Sequence, residues 1–455
     1  MSLLSLKKTK KRKKRNPAEI MIVGFLAIIL LGAILLKLPI STHNDVSVSF
    51  FSTLFTSVSA ICVTGLSVVD TATTWSLFGR IVILCLIQIG GLGFMSVTTI
   101  FFFVMNTKIE LSQRILIMQS LSLKDVKGVV QLIRHIFIGT LLFQAIGALL
   151  LWSRFYPQFG FWKGLGMGIF HSVSAFCNAG FDLMGNIDTF SSMTSYLGDI
   201  VIKLTLIFLV ILGSLGFFVW EDIYRNRRFQ KLHLHSKLVI STTAILLISG
   251  WIFFFFIEKS NLTTIGNLPF HQALITSLFQ SAMPRSAGFS MVNQALLTKE
   301  SLLFTMLLMF IGGSAGSTGG GIKNVTAAIL FLSAIRSLRG RKTLSVFGRT
   351  IPDQQIVSAI SILVLSLSVC FVGSLSISII QPELPLLGIV FEVISAVATC
   401  GLSIGITPYL QPASMVILML FMFFGRVGIM TIGMAAFLRR NKLEKTKYPD
   451  TWVMM

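Results

Sequence analysis

Eight apolar stretches, at about 18–40, 76–105, 128–154, 196–222, 236–258, 301–335, 352–380 and 411–438, leave this chain few ways to fold. A helix that crosses a bilayer needs about 20 mostly apolar residues, and every stretch supplies them. Charged residues make up only 12% of the 455, against about 25% in an ordinary soluble domain, so one water-surrounded core is excluded. The first stretch follows eight basic residues between Lys7 and Arg15. No small-x-small cleavage site follows it in KLPISTHND, so it reads as a retained helix rather than a signal peptide.

Placing both ends of the chain inside orders the charge. The segments 1–17, 106–127, 223–237, 336–349 and 439–455 then hold 27 Lys or Arg, and the opposite segments 41–75, 155–195, 259–300 and 381–410 hold 4. This loop-by-loop bias is the positive-inside pattern and predicts cytoplasmic termini. It also accounts for the net charge of +21 without nucleic acid as a partner. Five cysteines without a CxxC pair signal neither a disulfide framework nor a structural metal.

The four outer segments are too apolar for simple loops. Each holds a run of 11 to 14 residues, at 50–61, 166–176, 270–283 and 386–398, too short to cross but suited to a re-entrant helix. Each run ends in a small Ser-Ala element and then a glycine followed by Leu or Phe: SVSAICVTGL, SVSAFCNAGF, QSAMPRSAGF and ISAVATCGL. The glycines Gly65, Gly180, Gly288 and Gly401 are spaced by 115, 108 and 113 residues. The chain therefore reads as four parallel span/re-entrant-helix/span repeats around a pseudo-four-fold pore. Glycine there frees the backbone, and loop carbonyls replace water around a monovalent cation.

The neighbours of these glycines are Cys62, Val63 and Thr64; Cys177, Asn178 and Ala179; Arg285, Ser286 and Ala287; and Thr399 and Cys400. Their side chains define no common coordination layer, and the cysteines read as packed thiols. Asp70, Asp182 and Glu392 are candidates for an acidic vestibule, with Arg285 as a positive charge at its mouth. The sixth stretch contains IGGSAGSTGGGIKN, whose six glycines between Gly312 and Gly321 weaken a helix and predict a broken span. The Walker pattern is absent, so the segment is not a phosphate loop. Arg426, inside MLFMFFGRVGIMTIG, is costly in lipid and expected to face protein.

These repeats, with IQIGGLGFM at 87–95 and FGRVG at 424–428, resemble the Trk/Ktr/HKT superfamily of potassium transport proteins, most nearly its bacterial KtrB-type membrane subunits. The resemblance covers nearly the whole chain. It implies that Gly65, Gly180, Gly288 and Gly401 form a selectivity filter with potassium as the transported ion. Gly312, Gly313, Ser314, Ala315, Gly316, Ser317, Thr318, Gly319, Gly320 and Gly321 become an intramembrane gating loop, with Arg426 beside it. In the fourth loop Cys400 stands where the first has Thr64, a departure from equal side chains around the filter.

The implied function is gated, channel-like potassium uptake; sodium-coupled symport is the alternative. No enzyme activity and no covalently bound cofactor are expected. The implied partners are a second copy of the chain, membrane lipid and a cytoplasmic ring of KtrA-type subunits that carries the nucleotide, in a bacterial plasma membrane. The expected division is a basic amino terminus 1–17, repeats at 18–117, 118–235, 236–349 and 350–438, and a carboxyl-terminal segment 439–455.

Overall fold

The computed structural model describes residues 17–43, 47–93, 129–187 and 189–428. Residues 1–16, the 106–127 segment with the 117/118 repeat boundary, the distal parts of the second and eighth stretches, and the 439–455 segment lie outside these. Each apolar stretch contains a helix. The first quarter holds α1 (Pro17–Lys37), α2 (Phe50–Ile61) and α3 (Leu77–Leu92), and the second holds α4 (Val129–Phe159), α5 (Phe161–Phe176), α6 (Ile200–Leu215) and α7 (Phe217–Asn226). In the third are α8 (Leu234–Glu258), α9 (Phe270–Ala282), α10 (Lys299–Phe310) and α11 (Asn324–Leu338). A hairpin of β1 (Leu344–Val346) and β2 (Arg349–Ile351) leads into α12 (Asp353–Ile380), α13 (Leu386–Val397) and α14 (Pro412–Val427).

The four short runs are the helices α2, α5, α9 and α13, the second beginning five residues earlier than its run. Among the described residues α4, α8 and α12 are each long and apolar enough to cross a membrane unaided. They expose large apolar side chains such as Leu149, Ile245 and Leu367, as a lipid-facing surface requires. The sixth stretch is broken between α10 and α11, as its glycines predict. The fourth, expected as one continuous span over 196–222, is instead bent by 92° between α6 and α7. The bend falls at Gly216, whose φ of +96° lies outside the helical region.

Helix starts follow local chemistry. Ser49, Ser76, Asp199 and Thr298 accept backbone N–H bonds at the first turns of α2, α3, α6 and α10. In every quarter the first helix packs along the short one: α1 on α2, α4 on α5, α8 on α9 and α12 on α13. A serine fastens three of these pairs. Ser57 Oγ donates to the Ile29 carbonyl at 2.7 Å, Ser172 Oγ to Gln144 at 2.7 Å and Ser281 Oγ to Leu247 at 2.8 Å. Three residues beyond each acceptor lies Gly32, Gly147 or Gly250, where a Cβ would stand 2.3 to 2.6 Å from that serine oxygen. Close approach through small residues is how helices associate where lipid removes the hydrophobic drive. The fourth quarter packs differently, with Gly373 against the Phe421 ring.

Contacts between quarters run in one direction. Helix α3 packs on α5, α6 on α9, α10 on α13, and α14 returns to α2. The four short helices are thereby held in a closed circuit, and the main buried core, with Phe55, Phe176, Phe279 and Val393, lies around them.

Candidate functional site

The site is built where the short helices end. After α2, Cys62 keeps helical geometry, Val63 turns to φ +57°, the Val63 N–H bonds Ala60 O at 3.1 Å and the Thr64 N–H bonds Ser59 O at 2.8 Å. This is the Schellman termination, and it recurs with Asn178 (φ +60°) after α5 and Thr399 (φ +47°) after α13. Glycine is the usual residue at that position; β-branched Val63 and Thr399 are strained there and are held by their surroundings. Two residues on, each repeat glycine again has positive φ: +93°, +68°, +73° and +89° for Gly65, Gly180, Gly288 and Gly401.

Val63, Asn178, Ser286 and Thr399 are thus structural equivalents, followed by Thr64, Ala179, Ala287 and Cys400 as a second layer. The glycine alignment places them in register, while their common left-handed backbone is not visible in their unlike side chains. The sequence set the fourth loop apart because of Cys400, yet its backbone closes as the first two do. The third loop departs: Pro284 intervenes, and Ala287 N bonds Met283 O at 3.0 Å in place of the wider closure. The serines of the Ser-Ala element fasten the loops, Ser59 and Ser395 accepting the Gly65 and Gly401 N–H groups at 3.1 and 3.0 Å. Ser174 Oγ donates to the Phe181 carbonyl at 2.7 Å.

The four glycines meet in a ring. A Cβ on Gly65 would stand 2.3 Å from the Ala179 carbonyl oxygen, one on Gly180 2.9 Å from Ala287 O, one on Gly288 2.6 Å from Cys400 O and one on Gly401 2.0 Å from Thr64 O. Each loop touches the next in chain order and the last touches the first. These glycines, with Asp70 and Asp182, line a cavity of about 720 Å³.

Asp70 also has local work there, capping a short helical turn through Ala72 N and Thr73 N and accepting Phe190 N. Asp182 is half-buried, and burial, then the nearby Asp70, push its carboxyl up to about 6 against the opposing Met184 N–H bond. Glu392 does not face the cavity; it is buried and accepts the hydroxyls of Ser403 and Thr407. Arg285 is not at the mouth either. Its buried guanidinium turns to Thr243 on α8, whose hydroxyl oxygen also accepts Asn324 Nδ2, each at 3.2 Å. Cys62, Cys177 and Cys400 are buried thiols.

Against the other side of the ring lies the Gly-rich segment. Cβ atoms on Gly320 and Gly312 would stand 1.8 Å from Thr399 Oγ1 and 3.1 Å from Ser286 Oγ, and Thr318 Oγ1 donates to Phe176 O at 3.1 Å beside the Asn178 amide. Its backbone is tied to the α6/α7 bend, with Ser314 N on Ser214 O, Thr318 N on Gly213 O and Phe217 N on Gly316 O, all within 3.1 Å. Ser314, Ser317 and Thr318 hydroxyls donate to backbone carbonyls. Arg426 donates to the carbonyls of Thr318, Gly90 and Gly91, joining this segment to the end of α3.

A second repeat emerges in these contacts. Gly90–Gly93, Gly213–Gly216, Gly313–Gly316 and Gly425–Gly428 are each G-x-x-G pairs whose second member has positive φ, +82°, +96°, +66° and +95°. In three of them the first glycine abuts the end of a short helix, a Cβ falling 2.0 to 2.1 Å from the carbonyls of Ile61, Phe176 and Val397. Two of these pairs lie inside motifs that carried the family resemblance, but only alignment of all four reveals the period.

The fold and site thus define an integral membrane protein in which four loop ends converge on one ring. The profile of the TrkH cation transport protein family matches residues 2–446, and the chain belongs to that family. It is 38% identical to the potassium/sodium uptake protein NtpJ of Enterococcus hirae, covering 99% of this chain and 100% of that one. Ktr system potassium uptake protein B of Bacillus subtilis is 39% identical, with 96% of each chain covered. The crystal structure of the potassium transporter TrkH from Vibrio parahaemolyticus has the same fold, with a TM-score of 0.74 at 18% identity over 93% of this chain and 86% of that one.

Proposed function

We propose that this chain is the membrane subunit of a potassium uptake system in a bacterial plasma membrane and conducts the ion through a gated, channel-like pore. The glycine ring at the floor of the 720 Å³ cavity carries the reading. Four loops related by a pseudo-four-fold axis present backbone carbonyls that take the place of the ion's water. Four helix ends, each equivalent to about −0.5 elementary charge, add a negative potential for a cation. Gly65, Gly180, Gly288 and Gly401 are the filter, and Gly312–Gly321 the gate. Glycine lets the gate lie flush beneath the filter, while Arg426 holds it closed through the Thr318 carbonyl.

Both termini are cytoplasmic, two copies associate, and a nucleotide-binding ring on the cytoplasmic face moves the gate. The naming of the Bacillus relative as part of a Ktr system supports a multi-component assembly. Sodium-coupled symport is a second reading, favoured by the name of the Enterococcus relative. Reversal potentials of the reconstituted chain under separate potassium and sodium gradients, with and without the ring, decide between them. Potassium conductance without sodium is the expected result; a fixed sodium-to-potassium stoichiometry would replace the channel reading with symport.

A further inference from the structure

Segments 223–237 and 336–349 each carry five basic residues and no acidic one. The structure brings the two together. The tip of the β1–β2 hairpin, Phe347 at φ +50° and Gly348 at +72°, reaches the turn before α8, where Phe347 and Phe229 meet edge to face at 6.0 Å. The hairpin is anchored from behind, since Leu344 and Ile351 are buried with Leu238 and Ile356 in a separate apolar cluster. Between hairpin and turn is a cavity of about 320 Å³ that Lys231, Lys237 and Arg349 line and no carboxylate enters. The Lys237 amine is oriented by the Gln230 carbonyl at 2.7 Å and lies 5.8 Å from the Phe347 ring centroid.

We infer that this cavity binds the phosphate of an anionic phospholipid. Three cations from three different elements, around one opening, match a compact anion. The carboxylates on adjoining segments are already engaged: Asp222 is buried and accepts Asn226 and His233, and Asp353 pairs with Arg336 at 2.8 Å. The level of the cavity selects lipid over a soluble partner. Lys237 lies in the first turn of α8, a helix long and apolar enough to span, so the cavity opens where a bilayer's headgroups begin. Phe229 and Phe347, 44% and 49% exposed at its rim, suit the acyl boundary beneath a headgroup.

Native mass spectrometry of the purified full chain with phosphatidylglycerol or phosphatidylcholine tests the site without depending on transport. Phosphatidylglycerol should be retained and phosphatidylcholine should not. The double substitution Lys231→Gln/Arg349→Gln should weaken retention about thirtyfold, from the usual contribution of two juxtamembrane cations. Lys259→Gln/Lys299→Gln, in another part of the chain, should leave it unchanged, and Phe347→Ala should weaken it with every charge in place. Equal retention of the two lipids, full retention by the Lys231/Arg349 variant, or displacement by inorganic phosphate alone would overturn the proposal.

Discussion

Gly401 shows how much one hydrogen atom decides at the ring. A side chain there meets a positive φ, worth about 1–2 kcal/mol of strain, and the Thr64 carbonyl at 2.0 Å. Gly405 has a similar φ of +93° but open space around it. Gly401→Ala should therefore lower potassium flux at least about tenfold at equal membrane abundance, whereas Gly405→Ala should bear the backbone cost with its flux nearly intact. Flux assays on vesicles of matched protein content check the pair, and equal losses would assign the effect to strain. Asp182 makes a pH prediction. Its carboxyl, raised to about 6, is charged above that pH and neutral below, so potassium uptake should fall as external pH drops through about 6 and lose that step in Asp182→Asn. For stability the sign is opposite: the folded chain holds this proton more tightly than the unfolded one. The contribution is full below the ordinary carboxyl range and fades as pH rises through about 6. At Arg285, Thr243→Val removes the hydroxyl that accepts the buried guanidinium and should cost about 1–3 kcal/mol in thermal unfolding, while Thr243→Ser should not.

Between elements, the broken α10/α11 span and the α6/α7 bend form one unit, because the Gly-rich segment takes its backbone partners from residues 213–217. A continuous α6/α7 would carry the chain past these partners. This bend was legible only as the glycines of LGSLGFF, which within an apolar stretch read equally well as tolerated helix glycines. Deleting Ser314–Thr318 should raise basal potassium flux several-fold in the absence of a regulatory ring, and Arg426→Ala should raise it by removing three carbonyl contacts. Since Arg426 acts partly through the Thr318 carbonyl, the double variant should fall short of the sum of the single effects. Initial flux per folded protein is the measurement. Parental flux in both single variants would make the segment a static break and Arg426 a structural clamp.

At the scale of the molecule, the distribution of charge makes a prediction about orientation. Ser260→Cys, in a basic-poor segment, should react with an impermeant thiol reagent from outside, and Asn226→Cys, in a basic-rich one, only after permeabilisation, in a background without native thiols. The reverse pattern at both sites would invert the topology. By itself the sequence determined that the chain enters a membrane, roughly where most of its helices fall, which loop glycines repeat and that the sixth stretch is broken, but not the second break at Gly216. These properties depend on local composition and period, and a chain carries them before it folds. Only the tertiary structure decided that the four loops close into a ring, that Val63, Asn178, Ser286 and Thr399 share a left-handed backbone, and that Arg285 and Glu392 turn away from the cavity. It also decided that Arg426 reaches carbonyls more than a hundred residues away. Those outcomes depend on which backbone groups meet across the circuit of helices. Side-chain identity says little about that, because the same left-handed backbone position accepts valine, asparagine, serine and threonine.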